Sequence, residues 1–206
     1  MLSQSVASEL RKAISSGEFQ PGEQLSEVKA AERFNCSRNT LRESFTRLAA
    51  ERIVERIPNR GVFLAMPDAD YIRDLFAARA AIEPAAVRWG TFADAPSLVT
   101  LTSSAFDYAA RGEHQEVSAI NQRFHRTLVA ALGSPTLNEQ MENLLARMRL
   151  TFLLAIPRYP QLHADHIQGN ITLATLIADG KRLEAATLAH DSLMNTCEKI
   201  LAVLDD

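Results

Sequence analysis

Residues 35–65 read NCSRNTLRESFTRLAAERIVERIPNRGVFLA. Ser37 stands where a helix N-cap belongs, because its hydroxyl can accept from an amide of the first turn. Behind it Leu41, Phe45 and Leu48 recur at helical spacing and predict a buried stripe, while Arg38 and Arg42, four apart, share another face. Ile53–Ile57 and Gly61–Ala65 are β-branched or apolar runs separated by the turn-forming Pro58-Asn59-Arg60, which predicts a hairpin. A short basic helix followed by a tight two-stranded ribbon is the pattern of a winged helix-turn-helix. The expected partner is duplex DNA.

Upstream, Val6, Leu10 and Ile14 predict a helix over 5–16 that Gly17 ends. Pro21-Gly22 marks a turn, and Ser26 is placed to cap a helix over 27–34 with Val28, Ala31 and Phe34 facing inward. Downstream of Met66-Pro67-Asp68 the pattern is helical throughout, with helices expected near 69–91, 96–111, 114–132, 136–156, 164–178 and 181–204. Caps and breakers separate them at Asp94-Ala95-Pro96, Gly112, Gly133-Ser134-Pro135, Pro157–Pro160 and Asp179-Gly180. The fold class expected is mainly α: a winged helix-turn-helix of three helices plus a β-hairpin wing over 1–66, then an all-α bundle over 67–206. Trp89 and the phenylalanines at 92, 106, 124 and 152 are expected in its core.

The formal net charge of −3 alone argues against nucleic acid, but it is unevenly spread. Residues 1–66 carry ten Lys/Arg against eight Asp/Glu, and residues 67–206 carry twelve against seventeen. Arg38, Arg42, Arg47, Arg52, Arg56 and Arg60 make a local basic patch on an otherwise acidic chain. No apolar run approaches the roughly 20 residues of a membrane span, and the first ten residues do not read as a signal peptide, so a cytoplasmic protein with no membrane partner is expected. Cys36 and Cys197 match no metal spacing and are expected to be reduced, mostly buried thiols.

With these residues the chain resembles the GntR family of bacterial transcription regulators. The resemblance is carried by Ala13-Ile14 with Gly17, Pro21-Gly22-Glu23 with Leu25, Ser37-Arg38, Leu41-Arg42-Glu43, Arg47-Leu48 and Arg60-Gly61, in order across residues 5–65. It implies that Ser37, Arg38, Asn39, Arg42, Arg60 and Gly61 contact DNA. Arg47, Arg52 and Arg56 are expected to be structural or to position the DNA backbone rather than to read bases. The second half is similar to the ligand-binding domain of the FadR subfamily (the FCD type), through Asp74, Arg79 and Glu83 and then Asn121-Gln122-Arg123-Phe124-His125.

That subfamily often holds a divalent metal with an Asp, a His one turn later, and two further His on the last helices. Here those places fall on Asn121, His125, Asn170 and Ser192, so most of the charge compensation for a cation is gone. A shifted register would bring His125, His166 and His190 together around Zn or Ni. The preferred expectation is no metal, with His163, His166 and His190 as partly exposed polar residues. The pocket would then take a small-molecule effector directly. Arg79 and Arg149 are candidates to neutralise a carboxylate, and Asn121, His125 and Asn170 to orient it. An equal alternative for Arg79 is an ion pair with Glu83 at i,i+4.

The leading expectation is therefore a regulator, of the repressor type usual in the family, that binds a palindromic operator as a homodimer and answers to an effector. A constitutive DNA-binding protein whose helical half only dimerises is the alternative. A metal-dependent hydrolase is disfavoured, because neither a water-activating carboxylate beside His125 nor a Ser/His/Asp or Cys/His arrangement is evident.

Overall fold

The computed structural model describes residues 2–205, leaving aside the side chains of Leu2 and His163. The expected exposure of His163 therefore lies outside the described residues. Two compact units are formed, residues 1–68 with 142–154 and residues 69–141 with 155–206.

The first unit opens with α1 (Leu2–Ser15), which lays Val6, Ala7, Leu10 and Ile14 against Leu41, Phe45 and Leu48 of α3 (Arg38–Ala50). Ser44 fixes this crossing, since its hydroxyl donates to the Ser3 carbonyl at 2.8 Å. Arg11 of α1 forks onto Glu51, at the C-cap of α3, with contacts of 2.7 to 3.0 Å. Between them lies α2 (Glu27–Arg33), capped by Ser26, with no buried residue of its own. Val28, expected to face inward, is 46% exposed, because α2 meets α3 through half-buried residues only.

The hairpin forms as β2 (Val54–Ile57) and β3 (Gly61–Leu64), antiparallel with Val54 opposite Leu64 and Ile57 opposite Gly61. A further strand, β1 (Gln24–Leu25), pairs along the free edge of β3, giving the order β1-β3-β2. Two residues are too short for an alternation signal, so periodicity alone does not reveal this strand.

The second unit has no strand among its described residues. It comprises α4 (Ala69–Trp89), α5 (Ala95–Ser103), α6 (Ala105–Ala110), α7 (His114–Ala130), the start of α8 (Pro135–Ala155), α9 (Leu162–Ala178) and α10 (Arg182–Asp205). The helix expected over 96–111 is two, broken at Ser104. There the hydroxyls of Thr102 and Ser104 donate back to the Leu98 and Leu101 carbonyls, local bonds that compete with helix propagation. α4 packs along α10, and their ends are tied by Arg182, which donates to the Val87 and Gly90 carbonyls at 3.0 and 2.9 Å. Phe124 and Leu128 of α7 fill the centre with Val87, Leu98, Leu173 and Ile177, whereas Phe152 of α8 is buried in the segment that packs with the first unit. Trp89 and Phe106 depart from expectation. Trp89 is 72% exposed with Arg88 stacked over its ring, and Phe106 is 48% exposed. Trp89 is the last residue of α4, where a helical pattern no longer dictates a buried face. Cys197 is buried and Cys36 half-buried, both as free thiols.

Candidate functional site: a nucleic-acid face and a buried polar cavity

On the first unit the functional face is built by the turn between α2 and α3. Asn35 takes a positive φ of 45° to reverse the chain, and Ser37 then caps α3, accepting from the Thr40 amide at 3.1 Å. The Thr40 hydroxyl lies 2.9 Å from the Ser37 hydroxyl, which holds the cap further. Leu41, Ser44, Phe45 and Leu48 are buried, and this rotation of the helix leaves Ser37, Arg38, Asn39 and Arg42 exposed together. The N-terminal amides of α3 and its dipole favour an anion at the same place. Asn39 donates to Glu43 at 3.1 Å, and Arg42 is engaged by Glu27 of α2. That carboxylate was not singled out in the sequence, where fifteen residues separate it from its partner.

The wing tip is equally defined. Asn59 and Gly61 take positive φ values of 59° and 109°, so Gly61 suits a conformation that side chains resist. Arg60 lies over the Phe63 ring at 5.5 Å, and its carbonyl accepts from Gln24 Nε2 at 2.7 Å, which ties the tip to β1. Arg56 donates to the Arg42 carbonyl at 2.8 Å, a bond within the protein that ties β2 to α3.

The second unit encloses a cavity of about 120 Å³. Arg79 and Glu83 of α4, Asn121 and His125 of α7, and Asn170 of α9 form one continuous chain of contacts beside it. Arg79 Nε donates to Glu83 Oε1 at 2.6 Å, and Glu83 Oε2 lies 2.7 Å from His125 Nδ1. His125 Nε2 lies 3.2 Å from Asn121 Oδ1, which also accepts from Asn170 Nδ2 at 2.7 Å. Arg79 and Glu83 are each 1% exposed, so the i,i+4 ion pair is fully desolvated. Burial pushes the Glu83 carboxyl up, but Arg79 and His125 outweigh it and hold the group at about 2. Glu83 is thus ionised, and as an acceptor it fixes a proton on His125 Nδ1.

Toward the mouth stand Ser192, Asn195, Thr196 and Lys199 of α10 with Tyr159, Asp165 and His166. Lys199 pairs with Asp165 at 3.1 Å, and the Tyr159 hydroxyl donates to the same carboxylate. Apart from Ser192 and His166, these rim residues were missed as site residues. The signal was present as the polar spacing Ser192, Asn195, Thr196, Lys199 on one helix.

The site residues expected from sequence are thus only partly gathered. Arg79, His125 and Asn170 line the cavity, and Asn121 joins them through its hydrogen bonds. Arg149 is elsewhere: its guanidinium lies over Gly17 in the first unit, so it is not an effector residue of this cavity. The geometry of α8 decides this, since residues 142–154 pack with the first unit. His166 lines the cavity, but His190 is 54% exposed and lies 3.0 Å from Asp191, so the three histidines do not converge. Nor do the four family positions fit a metal. Both ring nitrogens of His125 face oxygens, Glu83 is committed to Arg79 and His125, and the remaining donors are amides and a hydroxyl. Among the described residues no three His, Cys, Asp or Glu side chains form a cation site.

Known proteins agree with this layout. Residues 2–64 match the family described as bacterial regulatory proteins, gntR family, and residues 74–194 match the FCD domain. The Nta operon transcriptional regulator of Aminobacter aminovorans is 26% identical over 189 residues, covering 90% of this chain and 88% of that protein. The transcriptional repressor GlaR of Escherichia coli (strain K12) is 28% identical over 197 residues, covering 88% of each. A GntR transcriptional regulator from Rhodococcus sp. RHA1 superimposes with a TM-score of 0.82 at 29% identity, covering 97% of both chains. These relatives are regulators of transcription and not enzymes, and no helix among the described residues is long and apolar enough to cross a membrane. A capped, arginine-bearing helix beside a wing, joined to a helical FCD domain, is the architecture of a DNA-binding regulator, and the chain belongs to the GntR family.

Proposed function

We propose that this protein is an effector-responsive repressor that works in the cytoplasm as a homodimer on a palindromic operator. Two copies of α3 then enter major grooves about one helical turn apart. Ser37 and the α3 amides take a phosphate, Arg38, Asn39 and Arg42 address base edges, and Arg60 with Gly61 approaches the adjacent backbone or minor groove. The observation that carries this reading is the common exposure of Ser37, Arg38, Asn39 and Arg42 on one face of a helix whose other face, Leu41, Ser44, Phe45 and Leu48, is buried.

The effector is a small organic acid bound in the cavity of the second unit without a metal. The exposed Asp165–Lys199 pair is weak and yields Lys199 to an entering carboxylate, while Asn170, Asn195, Ser192 and Thr196 hydrogen-bond the remainder. Duplexes enriched by the full-length protein from a random-core library provide the test. Arg38→Ala should weaken binding to them at least about tenfold. A thermal-shift screen of small carboxylic and hydroxy acids should find one that raises the melting temperature and changes affinity for the duplex. Unchanged binding by Arg38→Ala refutes the reading head. A screen in which no acid acts returns the constitutive alternative.

A further inference from the structure

We propose that Glu27, in the first turn of α2, is a positioning residue for Arg42: it holds the guanidinium by one edge and presents the other to a base. The proposal rests on the reading of α3 as the groove-entering helix.

Arg42 lies one turn beyond Arg38 on the exposed face of α3. Its Nε is 3.2 and 3.1 Å from the two Glu27 oxygens, and its Nη2 is 3.0 Å from Oε2. This is a side-on engagement. The hydrogens on Nε and the near side of Nη2 are occupied, which leaves Nη1 and the outer Nη2 hydrogen as an open fork. That fork can meet guanine O6 and N7 bidentately. The support behind it is fixed at both ends. The Arg42 carbonyl accepts from Arg56 of β2 at 2.8 Å and from the Thr46 hydroxyl at 2.9 Å. Glu27 sits at the N-terminus of α2, where the helix dipole favours a carboxylate, directly after the Ser26 cap.

Stability does not account for the pair. The Arg42 side chain is 61% exposed, and an exposed ion pair contributes little to folding. Its effect falls instead on the rotameric freedom of a long side chain, which is reduced before DNA arrives, so less is lost on docking.

The test selects duplexes from a random-core library with full-length wild type, Arg42→Ala, Glu27→Gln and Glu27→Ala. Affinities for the enriched duplex and its single-base variants are then read by fluorescence anisotropy at two salt concentrations. Arg42→Ala should erase preference at one base-pair column. Glu27→Ala should flatten that same column, from roughly 100-fold discrimination to roughly tenfold or less, with other columns and the melting temperature retained. Glu27→Gln keeps an oxygen facing Nε and should fall between. If Glu27→Ala leaves the column that Arg42→Ala erases, positioning is overturned and the reading of α3 stands. Tighter binding of Glu27→Ala to every duplex, with steeper salt dependence, also overturns it and makes Glu27 a repulsive charge near phosphate. If Arg42→Ala changes no column, the positioning role and the reading of α3 fall together.

Discussion

Replacing Glu83 by glutamine changes almost no volume and removes one charge from the centre of the second unit. Glu83 is 1% exposed and serves both Arg79 and His125. The amide keeps one acceptor, for Arg79 or for His125, and removes the negative charge that faces a buried guanidinium. Breaking a buried pair on one side costs about 3–5 kcal/mol, and the retained hydrogen bond places this case near the lower end. The lowered pKa of Glu83 provides a second figure. Its carboxyl is held at about 2, against about 4.3 in an unfolded chain. At about 1.4 kcal/mol per unit this difference amounts to about 3 kcal/mol of stability at neutral pH. The sign follows from the depression. The contribution is complete above about pH 5 and is lost as pH falls toward 2. Calorimetry at pH 7 should therefore show the transition of the second unit lowered by about 10 °C in Glu83→Gln. The gap between variant and wild type should narrow as pH is taken from 5 to 3. A variant melting within 2 °C of wild type at pH 7, with a gap insensitive to pH, would refute the claim that this ion pair organises the domain.

Three further outcomes follow from the same contacts. Gly17→Ala should lower stability by about 1–2 kcal/mol in urea unfolding, because its φ of 85° disfavours a side chain and the Arg149 guanidinium occupies the space a Cβ needs. Dialysis against EDTA should leave the melting temperature unchanged within a degree, with no stoichiometric Zn or Ni by elemental analysis. A fall would restore a metal to His125. Trp89→Ala should change stability by less than about 0.5 kcal/mol, since the ring is 72% exposed and rests against Arg88 alone among the ring contacts described.

The head was legible because its signals are local. The Ser37 cap, the Leu41–Phe45–Leu48 stripe and the Pro58-Asn59-Arg60 turn each state their structure within a few residues, and the resulting face follows from 3.6 residues per turn. The helices of the second half were legible for the same reason, except where Thr102 and Ser104 turned their hydroxyls onto their own backbone. Pairings between distant segments were not. Glu27 lies beside Arg42 only because α2 folds back across α3, and β1 exists only because β3 offers it an edge. Arg149 and Arg79 look alike as arginines on helices, yet one packs over Gly17 and the other is buried against Glu83. Local sequence thus determined a capped, basic reading helix with a wing and a helical second half, because caps, turns and periodicity act over one or two turns of chain. The tertiary structure decided which charges neutralise one another and which face a cavity. Both depend on distances between segments far apart in the chain, which only the packing of helices and strands against one another sets.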